Sequence, residues 1–202
     1  MRLSILYFLI ILLFLGCSTT PPSKPNNICD IYDEKRSWYK ASIRTEKRWG
    51  IAPEVTMAFI KHESSYVQGA KPERTRIFFG LLPGKRKSTA YGYAQVVDGT
   101  WEQYKKATGY RFVSRRDFKD AVDFIGWYNN RSHMKLGIPK NNARLLYLAY
   151  HEGQNGYKKG SYRSKPWLLS VSTDVQNTAN KYANQFEKCE KRLRSPFYFL
   201  LN

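Results

Sequence analysis

The chain has 202 residues, of which 34 are Lys or Arg and 16 are Asp or Glu, so its formal net charge at pH 7 is +18. This length is sufficient for one domain with a sizeable core, and the basic balance favours an anionic partner such as phospholipid, a wall polymer or nucleic acid. None of the common nucleic-acid-binding motifs is present, which argues against nucleic acid as that partner.

The first seventeen residues indicate export. Arg2 is followed by an apolar run over residues 3–15 and then by Gly16 and Cys17. An apolar run of about 13 residues after one basic residue is typical of a secretory signal, and it is shorter than the about 20 residues of a transmembrane helix. Leu15-Gly16-Cys17 resembles the bacterial lipobox, in which the cysteine is acylated. We therefore predict a lipoprotein signal peptide over residues 1–16 and a lipid anchor on Cys17; an ordinary signal or an unspecific anchor is the alternative.

A helical domain is predicted after a polar, Pro-rich tether over residues 17–28. Gly and Pro punctuate the chain over residues 29–194, and alternating apolar and polar runs are nearly absent there, so we expect a mainly α fold with little or no sheet. The helices are predicted over residues 30–49, 53–65, 98–108, 114–135, 141–152 and 166–193. Residues 195–202 form an apolar tail, and both packing on the domain and contact with a membrane stay open for it.

Two connections between the predicted helices are rich in basic residues. Residues 67–90 make a long segment for a compact domain, and connections of that length are usually functional or disordered. Residues 153–165 form a second, Gly-rich connection.

The cysteines predict one disulfide. With Cys17 assigned to the anchor, Cys29 and Cys189 are an even pair in an oxidising compartment, and Cys189 falls on the apolar stripe of the last helix. A bridge between them would tie the two ends of the domain together and stabilise it by about 3–5 kcal/mol; two separate buried thiols are the alternative. No metal site is predicted, because the three histidines are scattered and His62-Glu63 lacks the second His of a zinc-protease helix.

Glu63 is the strongest candidate for a catalytic residue. Ile60, Phe59 and Val55 precede it by three, four and eight positions, so all four residues share one face of the helix. Desolvation on that apolar face and the negative end of the helix dipole both raise the pKa of a carboxyl group. A carboxyl group that stays protonated near neutral pH can act as the general acid for glycosidic bond cleavage. The alternative is a solvated Glu in the last helical turn.

Three short motifs occur in an order that resembles a known family: His62-Glu63-Ser64-Ser65-Tyr66, Ala90-Tyr91-Gly92-Tyr93-Ala94-Gln95-Val96 and Leu148-Ala149-Tyr150-His151-Glu152-Gly153. Over residues 51–182 the chain resembles lytic transglycosylases with the soluble-transglycosylase (SLT), lysozyme-like domain. That family has a catalytic Glu followed by Ser, then Gly-x-x-Gln, then Ala-Tyr-Asn-x-Gly. The chain departs from the pattern at His151 and Glu152, which replace Asn and a small residue, and its insertion between the first two motifs is longer and more basic.

The resemblance implies a lysozyme-like helical fold, peptidoglycan glycan strands as the substrate, and no cofactor. Glu63 would act as acid and then as base in cleaving the bond between N-acetylmuramic acid and N-acetylglucosamine, which leaves a 1,6-anhydro end. Ser64 and Gln95 would orient the substrate or Glu63, and Tyr150 would line the cleft unless it is a core aromatic.

Three further residues have two interpretations each. Tyr91 and Tyr93 offer sugar-stacking faces or pack in the core. Glu152 is either a second carboxylate in the cleft or a helix-end residue paired with Lys158 or Lys159.

Two other functions stay open at this point. In a lysozyme-type hydrolase, Glu152 or another acid would position water; a non-catalytic lipoprotein would only bind the envelope.

Ser18, rather than Asp, after Cys17 points by resemblance to the outer membrane, facing the periplasm of a Gram-negative host.

Overall fold

The computed structural model describes residues 20–77 and 82–195. The predicted signal peptide, Cys17 and residues 196–202 of the predicted tail lie outside the described residues. Within the described ranges, no helix combines the length and the apolar character needed to cross a membrane.

The described residues form a mainly α domain, as predicted. The helices are α1 (Ile28–Glu34), α2 (Arg36–Trp49), α3 (Pro53–Ser64), α4 (Asp98–Thr108), α5 (Phe118–Leu136), α6 (Ala143–Lys159) and α7 (Pro166–Arg194), with a 3-10 turn at Ser161–Ser164 between the last two. Two short antiparallel strands, β1 (Arg74–Ile77) and β2 (Leu82–Arg86), lie within the basic insertion. The prediction of a helical fold with a very small sheet is confirmed.

Most helix ends lie where the sequence marks them. Pro53 and Pro166 are in the first turns of α3 and α7, where a missing N–H costs nothing. Helix α5 begins four residues later than predicted because the Asp117 side chain caps it, accepting hydrogen bonds from the backbone N–H groups of Lys119 (2.8 Å) and Asp120 (3.3 Å).

Two predicted helices differ from the structure. The helix predicted over residues 30–49 is divided at Lys35 (φ −120°, ψ 68°), and neither Gly nor Pro marks this break. The helix predicted to end at Gly153 resumes after it and continues to Lys159, so the predicted connection 153–165 is largely helical. Gly153 itself has φ 72° and ψ 157°, a conformation that essentially only glycine adopts.

Helix α5 lies at the centre of the domain and contacts α2, α3 and α6, while the long α7 packs along α3 and α6. The core between these helices is rich in aromatic rings. Trp38 of α2 and Phe118 of α5 stack in parallel with their ring centres 3.9 Å apart, and Tyr93 meets Phe118 edge to face at 5.5 Å. Such pairs add about 0.5–1.5 kcal/mol each beyond the burial of their area, so these rings hold α2 and α5 against the loop between α3 and α4.

The two ends of the described domain are joined. A disulfide connects Cys29 of α1 to Cys189 of α7, with the Cα atoms 6.1 Å apart. Gln185 accepts a hydrogen bond from the Ile28 N–H (3.1 Å) and donates one to the Asn26 carbonyl (3.2 Å), and the Tyr182 hydroxyl donates to the Pro25 carbonyl. The C-terminal end of the predicted tether, residues 25–28, therefore contacts α7 through these hydrogen bonds.

Candidate active site

Glu63 occupies the last turn of α3, on the wall of a cavity of about 540 Å³. The helix face that carries it is apolar, as predicted: Val55, Phe59 and Ile60 are all buried. The two residues that end the helix, Ser65 (φ 50°) and Tyr66 (φ 63°), both have left-handed backbone conformations. Such conformations cost of order 1–3 kcal/mol in non-glycine residues and cluster at functional sites.

The environment of Glu63 favours its neutral form. Burial raises the pKa of Glu63 to about 7, against an opposing effect of a hydrogen bond with the Tyr147 side chain. Burial and the nearby Glu63 carboxylate also raise the pKa of Tyr147, so the phenol stays a donor. None of the salt bridges among residues 20–77 and 82–195 involves Glu63. At pH 7 about half of the Glu63 carboxyl groups are therefore protonated, and the Tyr147 phenol donates a hydrogen bond to the group.

The second motif forms a tight turn beside Glu63. Gly92 has φ 77°, and a Cβ atom there would lie 2.0 Å from the Arg115 carbonyl oxygen, so no larger residue fits. The Gln95 side-chain amide donates to the carbonyl oxygens of Ala70 (2.9 Å) and Gly92 (2.8 Å). Gln95 also lines the cavity, so it holds the turn and forms part of the cavity wall.

The third motif lies against this turn. Tyr150 of α6 lines the cavity, and its hydroxyl donates to the Ala94 carbonyl at 2.5 Å. Its ring meets Phe59 and Tyr128 edge to face, with ring centres 5.4 and 5.1 Å away. Tyr150 thereby connects the three motifs, because it contacts the Glu63 helix through Phe59 and the Gln95 turn through Ala94.

Glu152 is the other acid of the cavity wall, and it is held as an anion. Burial alone would raise the pKa of Glu152, but hydrogen bonds from Lys165, Ser161 and His151 outweigh that effect and lower it to about 2. Lys165 Nζ lies 2.7 Å from Oε1, His151 Nδ1 lies 2.9 Å from the same atom, and the Ser161 hydroxyl donates to Oε2. Glu152 is therefore in an ion pair, as in one of its two predicted interpretations, but with Lys165 rather than with Lys158 or Lys159.

Residues 5–189 match the family model described as the transglycosylase SLT domain. The chain belongs to the transglycosylase SLT domain family. No curated protein and no solved structure matches it significantly. The family resemblance drawn from the three motifs is thus confirmed, and the family supports a lytic-transglycosylase type of function directed at peptidoglycan in the cell envelope.

The SLT domain brings four of the seven sequence-predicted site residues to the cavity wall: Glu63, Gln95, Tyr150 and Glu152. The other three lie elsewhere. The Ser64 hydroxyl donates to the Ile60 carbonyl of its own helix at 3.1 Å. Tyr93 is 1% exposed and packs in the core against Trp38 and Phe118. Tyr91 is half-buried, and the cations of Lys71 and Arg115 each lie over its ring.

Several residues of the SLT domain cavity were missed by the sequence reasoning. Phe124 and Tyr128 line the cavity four positions apart, so helical spacing alone would have placed them on one face. The same spacing argument applies to Tyr147, which precedes Tyr150 by three positions and hydrogen-bonds to Glu63. Of the remaining lining residues, four lie within the second and third motifs, namely Ala90, Val96, His151 and Gly153. The other three, Ser88, Val97 and Thr100, have no such signal.

The cavity of the SLT domain continues into a second depression of about 270 Å³, whose wall shares Thr100, Tyr128 and Gly153 with it. The second depression is mainly polar and includes Gln103 and Arg131. The shared residues join the two depressions into one cleft, in which a polymer could extend from one part into the other. No group of His, Cys, Asp and Glu residues able to hold a metal ion occurs in the described ranges.

Proposed function

We propose that this SLT domain is a peptidoglycan lytic transglycosylase that cleaves the bond between N-acetylmuramic acid and N-acetylglucosamine and leaves a 1,6-anhydro end. One observation carries the proposal. Glu63 lies on the wall of the cavity with a pKa raised to about 7, so its carboxyl group can donate a proton at neutral pH and accept one afterwards.

In the first step, Glu63 donates its proton to the bridging oxygen of the glycosidic bond. The bond between that oxygen and the anomeric carbon of the muramic acid breaks, and the oxygen leaves as the 4-hydroxyl of N-acetylglucosamine. Positive charge develops at the anomeric carbon, where the new Glu63 carboxylate offsets it. The hydrogen bond from Tyr147 lowers the pKa of Glu63 and so stabilises the carboxylate during this interval.

In the second step, the Glu63 carboxylate takes the proton from the 6-hydroxyl of the same sugar. The oxygen of that hydroxyl forms a bond to the anomeric carbon, which closes the 1,6-anhydro ring. Glu63 is protonated again, and no water is consumed. Proton donation and proton removal occur in sequence at one carboxyl group, so the cycle needs no second acid.

The hydrolase alternative needs a second carboxyl group that activates water. Glu152 is the only other acid on the wall of the cavity among the described residues, and both of its oxygens already accept hydrogen bonds. Its pKa, lowered to about 2, makes it a weak base. These contacts favour transglycosylation over hydrolysis. The raised pKa of Glu63 likewise favours an enzyme over a protein that only binds the envelope.

The location of the enzyme is a separate proposal. We infer that Cys17 is acylated and that the lipid holds the domain at the outer membrane, facing the periplasm; the support is the Leu15-Gly16-Cys17 motif after an apolar run. Membrane fractionation of Cys17→Ala tests it, and release of the protein into the soluble fraction is expected. An unchanged membrane-bound fraction would rule out the anchor.

Activity on purified sacculi tests the catalytic assignment. Glu63→Gln should lose roughly 10²–10⁴-fold in rate, the typical contribution of general acid–base catalysis. Glu152→Gln should lose far less of the rate at saturating substrate. Glu102→Gln is the matched control, because Glu102 lies on the exposed side of α4, paired with Lys105. Circular dichroism should show all three variants folded, and wild-type activity in folded Glu63→Gln would refute the assignment.

A further inference from the structure

Trp167, in the first turn of α7, lies just outside the cleft. It is 55% exposed, whereas the other four tryptophans of the chain are buried or half-buried. Its ring meets the ring of His151 edge to face, with centroids 5.0 Å apart. His151 in turn lines the cavity that contains Glu63. The His151 side chain therefore lies between Trp167 and the cavity.

The backbone on either side of Trp167 is held firmly. The Lys165 side chain forms the ion pair with Glu152 at 2.7 Å, and the ring of Pro166 fixes the φ angle of that residue. Leu168 is fully buried in the core. Trp167 thus stands exposed on a fixed stretch of backbone at the rim of the cleft, so little backbone entropy is lost when a ligand covers its side chain.

Glu152 provides that support from the cleft side. Its side chain is only 5% exposed, and it accepts hydrogen bonds from His151 next to it, from Ser161 in the 3-10 turn and from Lys165 before α7. This carboxylate therefore connects the third motif to the segment that carries Trp167. Both His151 and Glu152 are departures from the family pattern, and the acid–base chemistry at Glu63 gives neither of them a role.

We propose that Trp167 and His151 form an outer glycan-binding platform, on which a sugar ring of the strand packs beyond the cavity, and that Glu152 is the positioning residue that holds the platform. A single exposed apolar side chain is ordinary, but this one adjoins a cleft and is fixed on both sides. A large, rigid aromatic side chain at the edge of a cleft offers an apolar face to the C–H face of a pyranose ring. This proposal rests on the proposed function, because the ligand is the same glycan.

Co-sedimentation with purified sacculi tests the platform without requiring catalysis. All proteins carry Glu63→Gln, so the glycan stays intact. Adding Trp167→Ala should weaken binding about tenfold, the size of effect expected for an aromatic anchor. Adding Trp167→Phe should keep most of the affinity. Adding Phe112→Ala, which removes a 99% exposed aromatic ring remote from the cleft, should change nothing.

The role of Glu152 is tested in the active enzyme. Two quantities are measured for each variant: the rate at saturating sacculi, and the sacculus concentration that gives half of that rate. Glu152→Gln and Trp167→Ala should both raise the half-saturating concentration by a larger factor than they lower the saturating rate. Equal sedimentation of the Trp167→Ala protein and its parent would overturn the platform and leave the proposed function intact. Failure of the Glu63→Gln parent itself to bind sacculi would overturn both.

Discussion

The ionisation of Glu63 should make the folded protein less stable as the pH rises, and Glu63→Gln should abolish that dependence. The pKa of the group is about 7 in the folded state, against an ordinary value of 4.5. Because the folded state holds the proton more tightly, the stabilising effect is complete below pH 4.5 and is lost as the pH rises towards and through 7. At 1.36 kcal/mol per pKa unit, the shift corresponds to about 3 kcal/mol.

Urea denaturation at pH 5 and at pH 8 measures this effect as a difference between two proteins. The free energy of unfolding of the wild type should fall relative to that of Glu63→Gln by about 1–3 kcal/mol over this interval; the lower values allow for solvent in the cleft. The altered hydrogen bond with Tyr147 also changes the free energy of unfolding of Glu63→Gln. This change is the same at pH 5 and pH 8, so it cancels when the two pH values are compared.

Glu102→Gln is the control, since Glu102 is exposed and forms a salt bridge with Lys105. Its stability should follow that of the wild type at both pH values. Parallel curves for the wild type and Glu63→Gln would show that the Glu63 carboxyl group has an ordinary pKa. The assignment of Glu63 as a general acid at neutral pH would then lose its physical basis.

Three further experiments test the site and the fold. Tyr147→Phe removes the hydrogen bond that lowers the pKa of Glu63, so the alkaline limb of the pH–rate profile should move to higher pH while activity falls; an unmoved limb would contradict this contact. Gly92→Ala should cost at least about 2–4 kcal/mol in urea unfolding, because the added Cβ would lie 2.0 Å from a backbone oxygen, and wild-type stability would refute that crowding. Thiol titration of the denatured, non-reduced protein should detect neither Cys29 nor Cys189, and two reactive thiols would exclude the bridge.

The sequence predicted the parts of the site that depend on local pattern. The spacing of Val55, Phe59 and Ile60 placed Glu63 on an apolar helix face, and the structure buries all three. Gly and Pro marked most helix ends, because their backbone preferences are intrinsic to the residue. The order of three motifs gave the family, which the match over residues 5–189 confirms.

Features that depend on tertiary contacts could not be predicted from the sequence. The Ser161–Ser164 turn brings Lys165 back to Glu152. No pattern in the sequence indicates that Glu152 pairs with Lys165 rather than with Lys158 or Lys159. The sequence also could not predict the direction in which a side chain within a motif points. Ser64 directly follows Glu63, yet its hydroxyl bonds to its own helix, as serines in helices commonly do.

The products released from sacculi test the central claim most directly. Purified peptidoglycan is digested to completion with the protein, and the muropeptide ends are identified by mass spectrometry, with Glu63→Gln as the blank. We predict ends that carry 1,6-anhydro-N-acetylmuramic acid, each lighter by one water than a hydrolysed end. Reducing ends that carry the added water, produced by the wild type and absent with Glu63→Gln, would show a hydrolase and contradict the proposed transglycosylase.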